Sequence, residues 1–123
     1  TRGLRKDLFG VIILPGESIN IPSGIKVKVP KGFALVFFNK SGVSLHQRFD
    51  VGAQVIDEDY QGEVHLHVIN TSKIPQTIKP GQKLLQGLLL PVLYSKIKEV
   101  PESELHTTKT ERGSGGFGST GHD

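Results

Sequence analysis

Cysteine, methionine and tryptophan are all absent from these 123 residues. Without cysteine there are no disulfides and no thiolate metal sites, and the redox compartment stays open. No run approaches the ~18 consecutive apolar residues of a membrane-spanning helix. The basic start, Thr1-Arg2-Gly3-Leu4-Arg5-Lys6, is not followed by the apolar block of a signal peptide. No membrane partner is expected, and an intracellular setting is. Charge of one sign is nowhere concentrated: the net charge is +3, and no block of five or six cations occurs. No nucleic-acid partner is therefore expected. The balance suits a few basic side chains converging on one small phosphorylated molecule. Helical periodicity is scarce too, since no segment of ten or more residues holds a 3.6-residue repeat.

Short apolar stretches between Pro and Gly punctuation take its place. Val11 to Leu14 stops at Pro15-Gly16, and Ser18 to Ile21 at Pro22-Ser23-Gly24. Ile25, Val27 and Val29 alternate with Lys26 and Lys28, as Val64, Leu66 and Val68 do with Glu63, His65 and His67. Such alternation predicts strands with one wet face. Phe33 to Phe38 is continuously apolar, which predicts a strand buried on both faces. Lys83 to Val92 is a second long apolar run. Many short strands at this spacing predict an all-β sandwich or barrel.

Chemistry is expected in the loops between strands. Asp57, Glu58, Asp59 and Tyr60 lie between two strand signals and end at Gly62. That composition makes an acidic β-turn. It also suits a site, because strand alternation aims Asp57 opposite to Ile56, and a carboxylate beside an apolar wall can serve as a general base on water. Tyr60 could offer a ring face to a sugar. Lys40-Ser41-Gly42, directly after the apolar strand, places a cation, a hydroxyl and a flexible backbone where a phosphate can be held. His65 and His67 share one strand face, but a metal site needs further ligands and none is evident nearby. A solvent-facing surface is the expectation there.

The end of the chain, Glu111 to Gly121, combines one Arg, one Phe, three hydroxyl residues and five glycines. Glycine disfavours helix and strand, so this is no core element. It is either a plain Gly/Ser tail or a segment that wraps an anionic ligand, with Arg as a charged fork and Phe lying on a flat ring. Gly113 to Gly118 matches G-x-G-x-x-G only by coincidence, because no helix can follow it. No Lys follows the glycines as a Walker motif requires.

Taken in order, these pieces resemble the homotrimeric dUTPases, over nearly the whole chain. Asp50 to Gly62 is similar to the family's third motif and Arg112 to Gly121 to its fifth. Lys40-Ser41-Gly42 resembles the second, Gly81 to Gln86 the fourth, and Asp7-Leu8 the end of the first. The resemblance implies a jelly-roll-like β-fold, with residues 1–105 as the body and 106–123 as an arm closing a neighbouring site in a homotrimer. It implies hydrolysis of dUTP to dUMP and pyrophosphate, which limits uracil in DNA and supplies dUMP. Asp57 would activate the attacking water, and Tyr60 would pack on the deoxyribose. The hairpin Val51 to Val55, with Gly52 and Val55 at its ends, would read uracil largely through backbone groups. Lys40, Ser41, Gly42 and Gln86 of a neighbouring subunit would bind phosphates. Phe117 would cover uracil, with Arg112, Gly118, Ser119 and Thr120 at the distal phosphates. Mg2+ would bind through the triphosphate and water, with no direct protein ligand and Asp7 at most an outer-sphere partner.

Lys40 replaces the family's usual Arg, Gln54 its usual Gly in the uracil hairpin, and Gly87 an apolar residue. Leu4-Arg5-Lys6-Asp7-Leu8 departs from the first motif. The alternative consistent with these differences is a non-catalytic dUTPase-like protein that binds nucleotide or a protein partner. The related dCTP deaminases share the fold but lack the Phe-Gly-Ser-Thr tail.

Overall fold

Residues 10–116, and the backbone of residues 5–7, are described by the computed structural model. The chain runs β1 (Arg5–Asp7), β2 (Gly10–Ile13), β3 (Ser18–Lys26), β4 (Phe33–Asn39), α1 (Ser41–Gln47), β5 (Phe49–Val51), β6 (Val55–Ile56), β7 (Glu63–Asn70), β8 (Gln76–Ile78), β9 (Leu85–Pro91) and α2 (Glu102–Leu105). Among the described residues the strands form three three-stranded sheets, ordered β1-β2-β8, β3-β7-β5 and β6-β4-β9. Every pairing is antiparallel. This is the expected all-β, sandwich-like arrangement, and the sheets do not close into one barrel.

Alternation along β7 behaves as its sequence predicts: Val64 and Val68 are buried, while His65 and His67 on the opposite face are half-buried. The core joins the first two sheets. Ile13 and Ile78 from one meet Ile19, Phe49 and Val68 from the other, with Leu84 completing the cluster. Each such side chain contributes about 1.5–3 kcal/mol through removal from water. Asn70 sits at their seam, fully buried. Its amide donates to the carbonyls of Ile13 (2.9 Å) and Ile74 (3.0 Å), and its Oδ1 accepts from the backbone N–H (2.9 Å) and hydroxyl (2.6 Å) of Ser72. A buried amide with every group partnered ties β2 to β7.

Three expectations fail. β3 runs through Pro22-Ser23-Gly24 with an irregularity and ends at Lys26, so the break expected there and the separate strand expected through Val29 are not found. In β4 only Ala34 is buried; the other residues are half-buried and Phe38 is 37% exposed. Its partner β9 leaves Leu88 and Leu89 about half exposed, at 49% and 50%. The third sheet is thus covered on only part of its surface within one protomer, so a continuous apolar run did not mean two buried faces. The stretch read as a loop after Asn39 is also helical from Ser41. Seven residues make a marginal helix alone, and tertiary contacts hold it. Val43 packs on the core, and Gln82 Nε2 donates to Gln47 Oε1 at 2.7 Å. The helix ends where Arg48 turns left-handed, with φ 59° and ψ 33°. Its carbonyl there accepts from the backbone N–H (2.9 Å) and hydroxyl (2.6 Å) of Thr71.

Candidate active site

The segment from β5 to β7 brings together four of the expected site residues. Between β5 and β6 the chain makes the hairpin Val51 to Val55, and two different sheets hold it. On one side the Phe37 N–H of β4 donates to the Gln54 carbonyl at 2.9 Å, and Val55 pairs with Val36. On the other side the Gly52 N–H donates to the His67 carbonyl at 2.8 Å. Gln54 does not occupy the left-handed region; among the described residues only Arg48 does so without being glycine. The substitution of Gln for the family's Gly therefore carries no backbone strain.

Asp57 follows β6 directly and is exposed, while Ile56 before it is half-buried, as strand alternation requires. A turn closes behind it, with the Tyr60 N–H donating to the Asp57 carbonyl at 3.3 Å. The three carboxylates differ in use. Glu58 Oε2 accepts from the Gly32 N–H at 2.6 Å and anchors the turn to the β3–β4 connection. Asp57 keeps its carboxylate exposed. The ring of Tyr60 is held at its hydroxyl end: the hydroxyl donates to the Glu63 carbonyl at 2.7 Å, and it lies against Gly62, where an added Cβ would meet it at 2.5 Å. Only glycine permits that approach. Tyr60, Glu58, Gln61, Val27 and Lys28 line a cavity of about 390 Å3.

A second cavity, of about 510 Å3, is lined by Asn39, Ser41, Ser44, Leu45, Arg48 and Gln86. It gathers the second and fourth motifs. The Gln86 side-chain amide donates to the Asn39 carbonyl at 3.0 Å, next to Lys40, which precedes the first turn of α1. Gly42 lies in that turn. Gly87, where an apolar side chain was expected, has its space taken by Phe37 and Leu35, whose atoms lie 3.1 and 3.2 Å from where a Cβ would stand. The two cavities share no residue. The hairpin joins β4 at Val36 and Phe37, and its first residue reaches the edge of the second cavity, where the Val51 N–H donates to Asn39 Oδ1 at 2.8 Å.

Of the remaining expected residues, Arg112 lines neither cavity. Arg112 Nε donates to the Gly115 carbonyl within its own turn. Asp7 lies on β1, of which only the backbone is described. Phe117, Gly118, Ser119 and Thr120 fall outside the described residues. Among the described residues no group of three or more His, Asp or Glu is placed to hold a metal ion, and no helix is long and apolar enough to cross a membrane.

Tyr94 is a neighbour of the acidic turn that no motif announced. Its phenol titrates above the usual range, through loss of water around the hydroxyl and then through the carboxylates of Glu58, Asp57 and Asp59. The residue is 58% exposed, so the shift marks proximity and not a sealed pocket. Just before it, the Val92 N–H donates to the Gly32 carbonyl at 2.8 Å and returns the chain to the β3–β4 turn.

Comparison with known proteins gives the arrangement a family. The dUTPase family model matches residues 8–121. The deoxyuridine 5'-triphosphate nucleotidohydrolase of Chlamydia felis is 35% identical over 113 residues, which is 90% of this chain and 76% of the relative. That of Caldanaerobacter subterraneus is 39% identical over 113 residues, 90% of this chain and 74% of the relative. The mouse protein of the same name is 37% identical over 118 residues, covering 94% and 70%. Among solved structures, the dUTPase of Staphylococcus bacteriophage 80alpha with dUPNHPP superposes with a TM-score of 0.73 at 21% identity, over 99% of this chain and 95% of that one. A mutant dUTPase from phage phi11 of S. aureus, described with a structural Mg(II) ion, gives 0.66 at 23% identity, over 80% and 83%.

Proposed function

This chain belongs to the dUTPase family, and we propose that it hydrolyses dUTP to dUMP and pyrophosphate with Asp57 as general base. The observation that supports this most is the exposed Asp57 carboxylate, held beside a hairpin pinned from two sheets and a tyrosine ring locked against Gly62. Asp57 takes a proton from water, and the water oxygen attacks the α-phosphorus. The bond from that phosphorus to its bridging oxygen breaks, and pyrophosphate leaves. Positioning and charge neutralisation supply most of the rate in such transfers. The fixed Tyr60 ring packs on the deoxyribose and leaves no room for a 2'-hydroxyl. The hairpin, with Gly52 and Val55, reads uracil. Both the Gly52 and Ala53 amides are engaged with His67, so base reading falls to other backbone groups of the loop.

Phosphate binding by Lys40, Ser41, Gly42 and Gln86 belongs, in this reading, to a second protomer. The cavity that Ser41 and Gln86 line shares no residue with the one at Tyr60, and the exposed apolar surface of Leu88, Leu89, Leu93 and Ile97 is of the kind a further copy covers. The assembly we propose is a homotrimer. Residues 1–105 form its body and 106–123 an arm that brings Arg112, Phe117, Gly118, Ser119 and Thr120 over a neighbour's nucleotide. Mg2+ bound to the substrate would neutralise triphosphate charge and fix its orientation. In this reading the ion is carried by the phosphates and water, with no direct protein ligand and Asp7 an outer-sphere partner.

The test is pyrophosphate release from dUTP, dTTP, dCTP and UTP in magnesium. Turnover of dUTP alone is expected, and Asp57→Asn should lower kcat by about 10²- to 10⁴-fold, the range for loss of a general base. No dUTP turnover by the wild-type chain rejects the activity. An Asp57→Asn enzyme of unchanged rate rejects the assignment of the base.

A further inference from the structure

His67 has no role in the proposed chemistry, and it is not the solvent-facing residue that alternation along β7 suggested. Its ring lies against the hairpin: a Cβ placed on Gly52 would collide with its Nδ1 and Cε1. The same Nδ1 accepts a hydrogen bond from the Ala53 N–H at 2.7 Å. Its backbone carbonyl accepts from the Gly52 N–H at 2.8 Å. One residue thus engages two consecutive amides of the loop, through main chain and side chain together.

We propose that His67 is a positioning residue for substrate binding, whose neutral imidazole holds the base-reading hairpin in its binding conformation through Ala53. This rests on the assignment of residues 51–55 as the uracil-reading loop. The hairpin is short and has no regular pairing between Val51 and Val55, so its path depends on outside contacts. The Gln54 carbonyl is held from β4; without the imidazole, the Ala53 end of the loop has no such restraint. A loop that must first be ordered binds more weakly by the fraction of time it spends in the competent shape. Substrate affinity, not the chemical step, is therefore what His67 sets.

The geometry also fixes the protonation state. An Nδ1 that accepts from a backbone N–H places the ring hydrogen on Nε2. A second proton makes Nδ1 a donor facing a donor, and the clasp opens. Charged and titratable groups on this side of the sheet are Glu63 and His65 on β7, Asp50 across from Ile69 on β5, and Lys26 across from Glu63 on β3; Asn20, directly opposite His67, is uncharged. Comparison of wild type with His67→Asn separates them from His67. Asn places Oδ1 close to where Nδ1 stood and does not titrate.

The experiment measures kcat and KM for dUTP from pH 5.5 to 8.5, with dUMP affinity by calorimetry, for wild type, His67→Leu and His67→Asn. His67→Leu should raise KM and the dUMP Kd roughly tenfold, as expected for one hydrogen bond of about 1.4 kcal/mol, with kcat within about twofold. His67→Asn should bind as wild type does at pH 8 and lack the wild-type rise in KM toward acid pH. Wild-type affinity in His67→Leu, or the same acid limb in wild type and His67→Asn, overturns the proposal. If His67→Leu does not fold by circular dichroism, the acid limb of His67→Asn decides. A wild-type chain that binds dUMP but does not turn over dUTP defeats the catalytic reading alone, since the Kd still reports on His67.

Discussion

Single residues carry the division of labour here, and Asn70 shows it without touching the site. All four of its side-chain hydrogen bonds run inside the protein, so Asn70→Leu removes the amide from the Ile13 carbonyl and the acceptor from the Ser72 N–H, while the Ile74 carbonyl keeps the Ser72 hydroxyl at 2.9 Å. Each buried group left without a partner costs about 1–3 kcal/mol. We expect denaturant unfolding to show a loss of about 2 kcal/mol or more; a loss under about 1 kcal/mol would mean that water replaces the amide freely. Asn70 could not be picked out in the sequence, since an Asn ending a strand looks like any turn former. His67 was visible as one of a pair, and its alternation with Val64 and Val68 gave the right strand. Its contact with Ala53 joins residues 14 apart through a loop whose path no local pattern encodes. Asp57 and Tyr60 were legible, because the acidic turn and the strand alternation before it are local.

Among elements, strands were read well and helices poorly, for a reason that α1 makes plain. Ser41 to Gln47 contains Gly42 and has no buried residue, so it shows no apolar stripe for periodicity to detect. What holds it is its C-terminal anchor, with Arg48 in the left-handed region and Thr71 bonded twice to its carbonyl. That conformation costs a non-glycine residue about 1–2 kcal/mol. Glycine removes the strain but loses more backbone freedom on folding, by about 0.5–1 kcal/mol. Arg48→Gly should therefore be neutral or stabilising by up to about 1 kcal/mol in thermal unfolding. A marked destabilisation would show that the Arg48 side chain, at the rim of the cavity with Ser41 and Gln86, supports the helix in its own right. The apolar runs of β4 and β9 misled for a different reason: a sequence records that a face avoids water, and not whether its own chain or another copy covers it.

For the whole molecule, the arm and the body are expected to come apart functionally. Deleting residues 112–123 removes none of the buried residues named for the core, so light scattering and thermal melts should show an unchanged, folded trimer while dUTP turnover drops by roughly 10²-fold or more, as when a closing segment no longer completes a site. A truncated chain that no longer assembles would give the arm a structural role in place of a covering one. The separate linings of the two cavities carry their own consequence. In the proposed ring, a copy of this chain would lend its Asp57 side to one pocket and its Ser41 and Gln86 side to another. An allele with lesions in both halves would then silence two of the three pockets in every ring it joined, and the phenotype of a mixed population would be harsher than the share of faulty copies.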